Sequence, residues 1–327
     1  MKSDVSLAVR VSRRWKVADG VIGLELVAGD GRELPAWEPG AHIDLVLPDG
    51  SIRQYSLCGD PQNRFAWRLG ILRETEGRGG SRWIHDQLGE GDVIETRGPR
   101  NHFPLETASR YLFIGGGIGI TPILPMVRAA QAQGAQFQVV YGGRSRDTMG
   151  FVDELARLGK TVEFYPESEC GLIDLDRVLG SPSDETLIYC CGPEALLSAV
   201  EDKAAGWPNG SLRIERFGAR SDRAFDPAAD QPFEVELAPS GEVLKVPGDR
   251  TLLSVLEEAG ADVLSSCAEG TCGSCETTVV SGEVEHRDSV LTEAEQATND
   301  RMMICVSRSR GPRLVLDVAV KRAHDGG

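Results

Sequence analysis

Hydrophobic residues follow three rhythms along this 327-residue chain. Over roughly the first hundred positions they alternate with polar residues in short stretches such as 42–47, broken by Pro48-Asp49-Gly50, Gly89-Glu90-Gly91 and Gly98-Pro99. A period of two with turns this closely spaced predicts an antiparallel β-barrel. From residue 110 the apolar positions run together instead, at 111–114, 137–141 and 186–190, with a glycine-rich turn after the first run and a helical stretch predicted over 123–133. Short continuous runs separated by helices predict buried strands of a parallel α/β sheet. Alternation then returns at 233–237 and 243–246 around Pro239-Ser240-Gly241, which predicts a hairpin. A short helix over 252–259 follows, with Thr251 as its cap and Gly260 as its stop.

The polar, proline-bearing stretch 218–232 between the second and third rhythms reads as a linker. The expected organisation is therefore three domains, 1–106, 107–222 and 233–327. An apolar fraction of 41% and a charged fraction of 26% are those of a folded, soluble protein rather than a disordered one. The most apolar segment, 111–127, is interrupted by four glycines and two prolines and makes a poor membrane span. The first residues lack the apolar core of a signal peptide, so a cytoplasmic location is expected.

A formal net charge of −15 argues against a nucleic-acid partner, whose phosphates need a basic footprint. The charge is uneven: 233–300 holds 15 acidic residues against three basic ones, Lys245, Arg250 and Arg287. This is either a solvated face or one that steers a basic patch of a redox partner into place.

Eight cysteines in a chain expected in the cytoplasm do not read as a disulfide framework. Four of them form a spaced group: Cys267, Cys272 and Cys275, then Cys305 thirty residues later. This is the C-x4-C-x2-C…C spacing of a plant-type [2Fe–2S] cluster, in which each iron takes two thiolates. Gly270 and Gly273 allow the ligand loop to turn its N–H groups toward the sulfides. The alternative is structural zinc, but zinc sites usually pair two short Cys knuckles, whereas here three cysteines crowd one side. Hairpin, helix and ligand loop follow one another in the order of a ferredoxin β-grasp fold.

Two further segments have the chemistry to hold phosphate. Gly116, Gly117, Ile118, Gly119, Thr121 and Pro122 follow the run 111–114, and bare backbone N–H groups at a helix start favour an anion. The spacing departs from G-x-G-x-x-G, so a tight turn between packed elements is the plain alternative. A second strand-to-helix turn, Cys191-Gly192-Pro193, is expected beside the first in a parallel sheet. In the first domain, Arg53-Gln54-Tyr55-Ser56-Leu57 sets a cation, an aromatic ring and a hydroxyl along one strand, and Arg78-Gly79-Gly80-Ser81 offers N–H groups, a hydroxyl and a charge.

These motifs occur in the order found in the ferredoxin–NADP reductase superfamily, and with a C-terminal plant-type ferredoxin the chain resembles the phthalate dioxygenase reductase family, which includes the vanillate demethylase reductases. The resemblance spans essentially the whole chain. It implies an FMN-binding barrel in which Arg53 meets the phosphate or ribityl end, Tyr55 lies against the ring and Ser56 is near its reactive nitrogen, with Leu57 completing the motif. Gly79, Gly80 and Ser81 would hold the FMN phosphate, and Phe217 would cover the flavin face until nicotinamide arrives. The loop from Gly116 to Pro122 would bind the pyrophosphate of the nicotinamide cofactor. Thr121 and Cys191 would approach the nicotinamide, with Gly192 and Pro193 beside them, so that Ser56 and Cys191 lie nearest the hydride path.

For the adenine ribose, Asp147 suits a free 2′-hydroxyl whereas Arg144 and Arg146 suit a 2′-phosphate; the family habit favours NADH. The implied activity is an electron relay from NADH through FMN and the cluster, with no catalytic acid or base. A flavin reconciles a two-electron donor with a one-electron acceptor, and plant-type clusters sit near about −400 mV, low enough for most oxygenase centres. No Cys-x-His pair for a Rieske centre is present, so a Rieske-type oxygenase acting on an aromatic or other small polar substrate would be a separate chain. The reductase itself is expected to be a monomer, off the membrane. A cytochrome P450 is the alternative acceptor, and a non-catalytic, zinc-bearing interaction module is the alternative of another class.

Overall fold

The structure, a computed structural model, describes residues 6–218 and 230–320, so most of the expected linker lies outside the described residues. The chain divides into two compact units, 1–215 and 216–327.

The first unit begins with β1 (Ser6–Ala18), β2 (Val21–Ala28), β3 (His42–Val46), β4 (Ile52–Ser56), β5 (Trp67–Leu72) and β6 (Val93–Arg100). They form an antiparallel sheet in the order β4-β3-β6-β1-β2-β5. A bridge between Leu57 and Leu69 joins the outer strands, so the sheet curls into the expected barrel. Alternation explains the filling: on β1, Leu7, Val9 and Val11 are buried while Ser6, Ala8 and Arg10 face out. Leu24, Leu26, Ile43, Leu45, Trp67 and Leu69 complete the interior. Helix α1 (Gly80–Gln87) plugs Ile84 into this core. The glycines at its start hide it in the sequence, yet Gly79 at φ 84° supplies the left-handed turn that aims its N-terminus.

The same unit continues with β7 (Arg110–Gly116), α2 (Ile120–Ala132), β8 (Gln136–Gly143), α3 (Val152–Ala156), β9 (Val162–Pro166), α4 (Glu167–Cys170), α5 (Leu175–Leu179), β10 (Thr186–Cys191), α6 (Glu194–Lys203) and β11 (Leu212–Glu215). The strands are parallel, in the order β11-β10-β7-β8-β9. Phe113, Tyr141 and Tyr189 pack with Ile123 and Val127 of α2 on one face; Leu112, Ile114, Val140 and Ile188 pack with Leu179, Leu197 and Val200 on the other. Burial on both faces is why these strands read as unbroken apolar runs. Helix α2 starts three residues before the position expected from the pattern, because a 3-10 turn over Gly117–Gly119 feeds directly into it. The strand order reverses between β7 and β10, which opens a crevice at their carboxyl ends.

The second unit contains β12 (Phe233–Leu237), β13 (Glu242–Val246), α7 (Leu252–Glu258), β14 (Glu276–Ser281), β15 (Val284–Glu285), α8 (Glu293–Thr298), β16 (Arg301–Met303), β17 (Arg308–Ser309) and β18 (Arg313–Leu316). Its main sheet runs β13-β12-β18-β14-β16, with β12 and β18 parallel at the centre and a small β15-β17 ribbon beside it. Leu252, Leu253, Val255 and Leu256 of α7 cover Val235, Leu237, Leu314 and Leu316. Thr251 caps α7 as expected, accepting from the Ser254 amide at 3.2 Å.

Candidate cofactor and electron-transfer site

Two loops meet at the reversal point of the parallel sheet. A Cβ on Gly119 would stand 2.3 Å from the Cys191 carbonyl oxygen, and one on Gly116 would stand 2.7 Å from Pro193 and Leu196. The loop after β7 and the loop after β10 therefore interlock because these side chains are missing. Gly117, at φ 53°, faces open space. Thr121 ties the turn by donating to the Ile118 carbonyl (2.9 Å), and Tyr141 donates to Gly117 (3.1 Å). Pro122 sits in the first turn of α2, whose leading N–H groups have no acceptor within the helix. The arrangement suits an extended, phosphate-bearing ligand.

At the edge of this crevice Arg144, Arg146 and Asp147 follow β8 and are exposed. Arg146 pairs with Glu169 (3.0 Å), while the Asp147 carbonyl accepts from the Asp19 amide of the barrel (2.7 Å).

On the barrel, Arg53 reaches from β4 to the start of α1, donating to the carbonyls of Ile52 (2.8 Å) and Arg78 (3.1 Å). It crosses so close over Gly80 that a Cβ there would lie 2.4 Å from Nε. Gly79, Gly80, Ser81 and the Arg53 guanidinium are thus gathered at one helix N-terminus, and the Ser81 hydroxyl accepts from Glu74 (3.0 Å). Tyr55 packs on the barrel core, where burial raises its phenol. Leu57 is wholly inside the barrel. Phe217 is exposed, two residues beyond β11.

Ser56 and Cys191, expected nearest the hydride path, converge on Glu215, the last residue of β11. Ser56 hydrogen-bonds the Glu215 carboxyl, and Cys191 Sγ lies 3.9 Å from its Oε2. Burial pushes Glu215 up to about 8, against the opposing pull of those two hydrogen bonds. Burial and the nearby carboxyl push the Cys191 thiol well up as well. Sequence reasoning missed Glu215: a single acid at the end of a short edge strand carries no motif, and only the sheet order brings it to Ser56.

In the second unit the antiparallel register decides the geometry. Glu276 pairs with Met303 and Thr277 with Met302, so Cys275 and Cys305, just beyond the paired residues, are brought together. The remaining ligand-type cysteines come from the loop between α7 and β14. All four are buried. Cys267 is within hydrogen-bonding reach of Cys272 and Cys305, and Cys275 of Cys305. Gly270 and Gly273 adopt φ 69° and 70°, and even Ala268 is left-handed at 56°. That winding aims the Glu269 and Thr271 amides at Cys267 Sγ (3.3 and 3.5 Å) and the Ser274 amide at Cys272 Sγ (3.5 Å). Its cysteine neighbours Cys272 and Cys305, and to a smaller extent these amides, drive Cys267 far down, while Cys272 and Cys305 are driven up by the same proximity. Four buried cysteine sulfurs gathered together, with N–H donors aimed at two of them, fit an iron–sulfur group.

Comparison with known proteins bears on both units. A 2Fe-2S iron-sulfur cluster binding domain matches residues 235–310, and an oxidoreductase NAD-binding domain matches 113–202. A phthalate 4,5-dioxygenase oxygenase reductase subunit from Pseudomonas putida is 42% identical over 95% of this chain and 96% of its own. The chain belongs to the phthalate dioxygenase reductase family.

Among solved structures of similar proteins, a phthalate dioxygenase reductase, described as a modular structure for electron transfer from pyridine nucleotides to [2Fe–2S], superposes with a TM-score of 0.70 at 38% identity, covering 95% of this chain and 98% of that one. An intact type IV self-sufficient cytochrome P450 monooxygenase gives 0.90 at 43% identity over 96% of this chain, which spans 41% of that longer protein. As a member of the family, the protein is an NADH-dependent oxidoreductase that carries electrons from NADH through FMN and a [2Fe–2S] cluster. Family membership sets aside the zinc-bearing interaction module. Among the described residues no helix is long and apolar enough to cross a membrane.

Proposed function

We propose that this reductase is the electron-supplying component of a two-protein oxygenase system, with Cys267, Cys272, Cys275 and Cys305 as the cluster ligands. FMN is assigned to the barrel domain, 1–106, with Arg53, Gly79, Gly80 and Ser81 at its phosphate end, Tyr55, Ser56 and Leu57 along the ring, and Phe217 over the ring face. The nicotinamide cofactor is assigned to the domain 107–222, with Gly116, Gly117, Ile118, Gly119, Thr121 and Pro122 on the pyrophosphate, Arg144 and Asp147 at the adenine ribose, and Cys191, Gly192 and Pro193 at the nicotinamide. The ferredoxin domain, 233–327, is the exit for electrons. FMN, when bound, accepts a hydride and gives up its electrons one at a time.

The observation that carries this reading is the meeting of Ser56 and Cys191 at the half-buried Glu215. It brings the motif assigned to flavin and the loop assigned to nicotinamide within reach of one side chain. The chain's own part is to orient: two interlocked glycine loops hold the nucleotide, and Ser56 and Glu215 line the junction between them.

The acceptor is assigned as a separate Rieske-type oxygenase acting on an aromatic or other small polar substrate, because reductases of similar length serve phthalate and vanillate oxygenases. A cytochrome P450 acceptor is the second reading, favoured by the likeness to the P450 fusion. A cytoplasmic monomer is the expected working form. Reconstitution decides between the acceptors: NADH-dependent turnover with a Rieske oxygenase, but not with a P450, is expected. Failure with every Rieske partner tried, alongside turnover with a P450, overturns the first assignment.

A further inference from the structure

One ionic cluster in the 1–215 unit has no task in the relay. Glu154 of α3 accepts from Arg68 of β5 through both oxygens (3.0 and 3.2 Å) and from Arg128 of α2. Each arginine also grips the backbone that continues from Ser56 and Leu57. Arg68 donates to the Cys58 carbonyl through Nε (3.1 Å), and Arg128 donates to the Gly59 carbonyl (2.7 Å). The carboxylate thus draws together two like charges, one on a barrel strand and one on the helix that follows β7. Burial and the charge on Arg68 both disfavour the Arg128 cation, Cys58 and Asp60 favour it, and Glu154 is the carboxylate that bonds both guanidiniums.

The packing beside it points the same way. Phe151, the residue before α3, is held at φ 62°, a conformation side-chain-bearing residues seldom adopt. Its ring lies 5.2 Å under the Arg68 guanidinium. It also lies against Gly70 of β5, where a Cβ would stand 2.9 Å from both the Phe151 ring and Thr121 Cγ2. Barrel and nucleotide domain therefore touch where Thr121 lies in the first turn of α2, and Arg128 of the ion cluster sits on the same helix two turns later.

We propose that Glu154 is a positioning residue for hydride transfer: by joining Arg68 to Arg128 it fixes α2, with Thr121 at its start, against the strand that carries Ser56. This rests on the assignment of the nicotinamide and flavin sites given above. Hydride transfer needs the reacting atoms about 3–3.5 Å apart, and an error of about 1 Å costs roughly a hundredfold. The cluster's side chains are only about a quarter to a third exposed, so losing the anion costs stability as well as rate, and the rate is read in protein that stays folded.

The test uses full-length holoprotein, with Glu154→Gln as the main variant and Glu154→Asp as the conservative one. Stopped-flow reduction of the flavin at saturating NADH gives the limiting rate. NAD+ binding to the oxidised holoprotein and hydrogen exchange give readouts independent of turnover. Glu154→Gln is expected to slow the limiting rate by about tenfold or more, to leave NAD+ affinity within about twofold, and to speed exchange at 57–59 and 121–128 but not at 233–246. Glu154→Asp should recover part of the rate. An unchanged limiting rate, or a loss of NAD+ affinity in proportion to the rate, overturns the proposal. If Glu154→Gln does not fold, Arg128→Gln, which cuts one arm only, carries the same expectation and the same refutation. Wild-type flavin reduction in Ser56→Ala would count instead against the site assignment, and the exchange data would still report on the clamp.

Discussion

The two ends of this electron path are built in opposite ways. In the proposed assignment the cluster end takes three of its four sulfurs from one nine-residue loop, 267–275, and recovers the fourth through the β14–β16 register. The hydride end takes Ser56 from a barrel strand, Cys191 from a loop of the parallel sheet and Glu215 from that sheet's edge, positions spread over 160 residues. The difference follows from chemistry. A cluster is held by direct bonds to soft ligands and needs only that the ligands arrive. A hydride must travel between two bound rings, so orientation has to be supplied by rigid elements that pack on one another. The first kind of site is local and chemically specific; the second is distributed and made largely of ordinary packing.

The strongest break in this comparison is Cys272→Ser. Loss of one ligand should cut electron delivery to an oxygenase or to cytochrome c by about a hundredfold or more, while NADH still reduces the flavin at close to the wild-type rate. An anaerobic NADH titration followed by visible and EPR spectroscopy separates the two steps. Loss of flavin reduction in a folded variant would show that the ends are not independent and that the linear order is wrong.

That independence also explains what could be read in the sequence. Cysteine spacing is a chemical signature, so the cluster and the hairpin, helix and loop around it were legible, down to the Thr251 cap. The barrel and the parallel sheet were legible as rhythms, because burial on one face and on two faces leaves different hydrophobic patterns. The start of α2 was set three residues late and α1 went unread for one reason: glycines that give backbone N–H groups access to an anion also erase local helix signals. Glu215 and Glu154 were illegible because their meaning lies in partners far along the chain, and nothing near either in sequence marks them.

Gly119→Ala strikes only the distributed end. The new methyl would meet the Cys191 carbonyl, backbone that cannot yield, so the two nucleotide loops must part. NADH-driven flavin reduction is expected to fall by about tenfold or more, with the cluster's EPR spectrum unchanged. A wild-type rate would mean that the interlock of the two loops is incidental to hydride transfer.

Glu215→Gln gives a smaller effect, read in stability against pH. The folded protein holds the Glu215 proton up to about pH 8, whereas the unfolded chain releases it near 4.5. The folded state thus binds more protons in between, so this group's contribution is fully present below about 4.5 and is lost as pH rises toward 8. Chemical denaturation should show wild-type stability falling by roughly 3–5 kcal/mol relative to Glu215→Gln across that window, then running parallel above it. Parallel curves throughout would place the carboxyl in water rather than in the wall of the junction.

The smallest effect tests whether the acidic character of the ferredoxin unit is used. Arg313 of β18 spans Glu234 (2.7 Å) and Glu236 (3.1 Å) of β12 on an open surface, where such pairs add little to stability. Arg313→Ala should leave melting and both cofactor spectra unmoved while unmasking two carboxylates. If that face steers a basic acceptor, the KM for cytochrome c should drop by up to about twofold at low salt, and the gain should vanish near 0.5 M salt, where the screening length is only about 4 Å. An unchanged KM at low salt would make the face a solvated surface. Recognition would then fall to the few groups around the cysteine loop, and the exit end would be as local in choosing its partner as it is in holding its metal.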